Sequence, residues 1–176
     1  MALCPEEKTM IMKMVSAKNL AHTLQKVQSL DIKDKDLICD ELYNDQPNLL
    51  ASVLVQQQLG NLLQDVDVLL NILIVLHLAL KEAGMKISKV TEQEQEHQLR
   101  LLKDTILFSE GLSDDLVKSS VNQYISNHKE PILLTYVIDT MQAAGFFEKK
   151  HENSKFLSLA GLNLVACIAN AKEKQA

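Results

Sequence analysis

The chain has 176 residues, 47% apolar and 23% charged, with a formal net charge of −5 at pH 7. That length and balance support one domain with a sizeable core and exclude wholesale disorder. Five glycines and three prolines are too few for a many-turned β-sandwich or barrel, so the composition points to helices.

Taken in chain order, the first predicted helix runs from Glu6 to Leu30. Pro5 suits a first turn, and Met10, Met14, Ala17, Ala21, Leu24 and Val27 form a stripe at spacings of three and four. Asp31 to Asp34 reads as a turn, with Asp34 capping a short helix through Tyr43. Pro47 opens a third helix, ended by Gly60. The fourth, Leu62 to Ala83, is apolar nearly all round and stops at Gly84, so it is predicted to be buried on most sides. A short connection leads to Thr91-Glu92-Gln93-Glu94, which fits a capping box for a fifth helix through Phe108. Ser113 caps a sixth helix through Asn127. Pro131 opens a seventh, ended by Gly145, and an eighth spans Ser154 to Ala171.

The order of short helix, Pro, apolar helix, Gly, apolar helix occurs twice. Aligning Pro47 with Pro131 pairs Leu49, Leu50 and Val53 with Leu133, Leu134 and Val137. Further on, Leu70-Asn71-Ile72-Leu73 matches Leu162-Asn163-Leu164-Val165. Leu-rich helices agree often by chance, but two anchored matches in the same order favour duplication. The expected fold is all-α: about eight helices in one bundle spanning 1–176, as two related four-helix halves, 1–84 and 85–176. Helices four and eight then occupy the centre. They bury Asn71 and Asn163, and the least costly arrangement lets the two amides bond each other. His77, on the most apolar helix, reads as a core imidazole held by a carbonyl or carboxylate.

The charge balance and the short basic clusters Lys149-Lys150-His151 and Lys172-Glu173-Lys174 offer no basic face for phosphates. Aromatic residues at 4%, without tryptophan, leave few rings for base stacking, so no nucleic-acid partner is expected. Cys4, Cys39 and Cys167 are far apart and lack a CxxC pair, unlike a disulfide framework or zinc site. They fit a reducing, cytoplasmic compartment. The N-terminus lacks the pattern of a signal peptide. Leu62 to Leu80 carries Gln64, Asp65, Asp67, Asn71 and His77, too many polar groups for a membrane span.

The sharpest catalytic pattern is a pair of Glu-x-x-His units, Glu94–His97 and Glu148–His151. With Glu41 and Glu110 they give the donor set of a carboxylate-bridged dimetal site. Their contexts, EQEQEHQ and FEKKHEN, are polar on every side, whereas such a site needs apolar neighbours, so no metal is expected there. No G-x-S-x-G elbow, dinucleotide fingerprint or phosphate-cradling loop is present. The Gln56-Gln57-Gln58 run reads as a solvated face.

These observations predict a non-enzymatic helical interaction or oligomerisation protein, with another protein or a second copy as partner and no cofactor. Val53, Val55, Val68, Ile72, Val75 and Leu76 are an apolar surplus that an oligomer interface would absorb. One alternative is a bundle that binds a small apolar ligand between its halves, with Met10, Met12 and Met14 at the entrance. The other is a carboxylate/His metal-dependent enzyme.

Overall fold

The computed structural model describes residues 13–109, 114–148 and 154–171. They form eight helices: α1 Ala17–Gln28, α2 Ile32–Asp45, α3 Pro47–Gln58, α4 Leu63–Glu82, α5 Glu92–Ser109, α6 Asp114–Asn127, α7 Pro131–Ala143 and α8 Ser154–Asn170. No strand occurs among the described residues beyond an isolated bridge at Ile87.

Local chemistry accounts for most boundaries. Ser16 accepts from the Asn19 N–H while the Asn19 side chain returns the bond, a reciprocal cap that starts α1 at Ala17, not Glu6. Residues 6–12 lie outside the described residues. The buried side of α1 is therefore Thr23, with Leu20 and Val27 packed on the core; Ala17 and Ala21 are exposed. Helix α2 is capped by Asp31, and Asp34 is the third helical residue that bonds back to the Asp31 N–H. The cap is thus three residues earlier than the sequence suggests, because either aspartate satisfies the local pattern. Ser113 and Glu110 lie outside the described residues. Thr91 accepts from the Glu94 N–H at 3.1 Å, as expected for the start of α5.

Gly84 and Gly145 follow α4 and α7 at φ +61° and +72°. In this left-handed conformation the next residue bonds back to the helix: Met85 N–H to Leu80 O, and Phe146 N–H to Met141 O. All four of these side chains are buried, so each stop is also an apolar clasp.

The core runs through α3, α4, α7 and α8. From Val66 to Leu80, α4 buries Leu69, Ile72, Leu73 and Leu76 completely, and two-thirds of its most apolar stretch is covered by the bundle. The motif residues behave alike: Leu49, Leu50 and Val53 are buried on α3, as are Leu133, Leu134 and Val137 on α7, with Pro47 and Pro131 at the helix starts. Helix α1 packs on α4 and α5 on α8. Helix α3 packs on α4 and α7 on α8, and α2 on α3 as α6 on α7. Across the middle, α4 meets α8, α3 meets α8 and α4 meets α7. A Cβ built at Gly161 would overlap the Met141 sulfur and lie 3.5 Å from Leu69, which locates the α4–α8 crossing.

Two expectations about the apolar surplus and the glutamines are corrected. Val53, Ile72, Val75 and Leu76 belong to the core, and of the six residues only Val55 is exposed. Gln56 is buried, donating to Ser52 O and accepting from Asn61, while Gln57 and Gln58 face solvent.

Candidate functional site

Asn71 and Asn163 do not meet. Asn71 is half-buried, donating to Asp67 O at 2.9 Å and accepting from Lys35 at 3.4 Å. Asn163 is buried, donates to Gln95 O at 3.2 Å, and leaves Oδ1 without a hydrogen-bond partner. The crossing at Leu69 and Gly161 explains this. Each asparagine lies two residues further on, rotated about 200° around its helix and away from the facing helix.

His77 finds the carboxylate expected of it on another helix. One turn apart on α2 stand Glu41 and Asp45; one turn apart on α4 stand His77 and Lys81; and α2 packs against α4. His77 Nε2 lies 3.2 Å from Glu41 Oε1, and Lys81 Nζ reaches the same oxygen at 2.5 Å. The Lys81 hydrogen bond, helped by His77 and opposed by partial burial, holds the Glu41 carboxyl below its usual range, so it is ionised at neutral pH. His77 is 9% exposed, and its Nε2 makes no well-aligned hydrogen bond. Donor atoms of Glu41, Asp45 and His77 lie within 4.8 Å of one another.

The Glu-x-x-His residues form no such group among the described residues. Glu94 is half-buried on α5, His97 is exposed, and Glu148 is exposed after α7, accepting from Gln142 at 3.4 Å. His151 lies outside the described residues. Glu94 acts instead on Cys167, where burial, then the Glu94 charge, push the thiol up to about 12.

A groove of about 250 Å³ lies between α5, α6 and α8, floored by Leu102, Ala166 and Ala169 and edged by Tyr124 and His128. At the offset of 92 that aligns Asn71 with Asn163, Ala166 and Ala169 fall opposite Ile74 and His77 of α4, so the groove opens where α8 carries the smaller side chains. It lies inside the second half, not between the halves.

Two residues absent from the sequence reading link the halves. Gln46 and Glu130 each precede the helix-opening proline, with φ, ψ of −138°, 56° and −133°, 71°. Neither caps its own helix. Gln46 accepts from the Val90 N–H at 2.9 Å and donates to Ser88 O at 3.0 Å, while Glu130 accepts from the Val15 N–H at 3.0 Å. The sequence signal was the polar residue ahead of each proline, at the same offset of 84 that aligns Pro47 with Pro131. Compared with protein-family models, curated proteins and solved structures, the chain matches none.

Proposed function

We propose that the chain is a non-enzymatic helical interaction protein, built from two related four-helix units, that associates with a second copy of itself through the α3–α4 turn. The observation that carries this reading is a cluster of exposed apolar side chains there. Leu54 is 50% exposed, Leu59 42%, Leu62 60% and Leu63 61%, with Val55 beside them. Single exposed leucines are ordinary, but five large apolar residues within ten positions form a patch suited to a partner.

Leu62 also occupies the N-cap of α4 and makes no capping hydrogen bond. A serine or aspartate there would be worth about 1 kcal/mol, so this position forgoes stability while presenting an apolar side chain. The matched helix contacts, the shared proline-led motif and the reciprocal Gln46–Val90 and Glu130–Val15 bonds support duplication of one unit. A reducing, cytoplasmic setting suits Cys39 and Cys167, both free, with burial raising each thiol.

Sedimentation velocity at micromolar concentration tests the reading. The expected species is a multiple of the 19.7 kDa chain that reverts to monomer in the double variant Leu62→Asp/Leu63→Asp, which still melts cooperatively. A monomeric parent chain, or a multiple that survives the double variant, overturns it. The α5–α6–α8 groove favours a second reading, a small bound molecule, but its volume is below the roughly 300–1,000 Å³ of most ligand pockets.

A further inference from the structure

A cation site needs donor atoms on firm elements, close together, with lone pairs turned inward. We propose that Glu41, Asp45 and His77 bind one first-row divalent transition cation that ties the last turn of α2 to α4. The inference is independent of self-association and departs from the sequence expectation of no metal.

Two observations carry it. The three donor groups come from two packed helices and already lie within 4.8 Å of one another. Within them, His77 Nε2 is shielded from solvent and faces the Glu41 carboxylate at 3.2 Å without an aligned hydrogen bond, so this buried nitrogen is poorly satisfied and turned toward another donor of the group. Asp45 adds a third point. It sits on the final turn of α2, where the helix dipole disfavours a carboxylate, and a cation would offset that.

The geometry needs modest adjustment. Tetrahedral ligation at about 2.0–2.2 Å places donor atoms roughly 3.4 Å apart. His77 and Glu41 meet this at 3.2 Å, and Asp45, exposed on the helix end, has room to close. One imidazole with two carboxylates suits zinc, manganese or cobalt better than the all-oxygen spheres of magnesium or calcium. Lys81 is the competitor: its ammonium binds the same Glu41 oxygen, and its half-exposed side chain is free to swing out.

Zinc chloride added to the EDTA-stripped full chain is the test, read by native mass spectrometry and thermal melting. The expected result is one zinc per chain and a raised melting midpoint, since a ligand that binds the folded state stabilises it. Asp45→Ala does not lower the metal-free midpoint and weakens zinc at least about tenfold, His77→Gln does the same to zinc, and Lys81→Met tightens it. No retained zinc in the parent chain overturns the site. So does uptake undiminished in Asp45→Ala and His77→Gln, or weaker binding in Lys81→Met.

Discussion

Gly161 stands in the middle of α8, where glycine costs about 0.5–1 kcal/mol relative to alanine. Packing sets the opposite sign. An added Cβ meets the sulfur of Met141, which is fully buried between α7 and α8 and has little space to yield. Overpacking costs about 1–3 kcal/mol, so Gly161→Ala is expected to lower the unfolding free energy measured in urea by a net of about 1 kcal/mol. The cost should shrink when Met141 is also shortened to alanine. Gly145→Ala is the comparator: nothing lies within 4 Å of its Cβ, so only the φ of +72° opposes it, at about 1–2 kcal/mol. Additive effects of Gly161→Ala and Met141→Ala would refute the contact.

At the scale of elements, Gln46 and Glu130 decide how the ends of α3 and α7 join the rest. Both residues precede a proline and lie outside the helical region, and neither side chain caps its own helix. Each instead reaches a valine N–H just ahead of α5 or α1. Both of these bonds are buried, and losing the acceptor from a buried N–H costs about 1–3 kcal/mol. Gln46→Ala should therefore destabilise and accelerate amide exchange at Val90, and Glu130→Ala should do the same at Val15. Glu130→Gln retains an acceptor and should cost less. Unchanged exchange at Val15 and Val90 in the two alanine variants would show that these bonds do not hold the halves.

For the whole molecule, the same bonds and the crossings of α4 with α8, α3 with α8 and α4 with α7 make each half incomplete. Helix α4 is buried on faces that only the second half covers. Fragments 1–84 and 85–176 are expected to show no cooperative thermal transition by circular dichroism when separate, and to recover one when mixed. Two separate cooperative transitions would mean that each half is a domain of its own.

The amino-acid sequence determined, by itself, the number and order of the helices, the buried α4, the glycine stops and the proline-led motif. Those features follow from periodicity and backbone preference within a few residues. It also placed Asn163 and His77 inside. It left open which of Asp31 and Asp34 caps α2, because both fit the same local rule. Tertiary structure alone decided what meets what. Asn71 turned away from Asn163 because the helices cross two residues earlier, and Glu41 came to His77 because α2 lies on α4. The Glu-x-x-His spacing was local and assembled no metal cluster among the described residues. The Glu41–Asp45 and His77–Lys81 pairs were equally local and became a cluster because two helix faces pack together. Side-chain spacing along one helix is encoded nearby, whereas the rotation of one helix against another depends on every contact in the core.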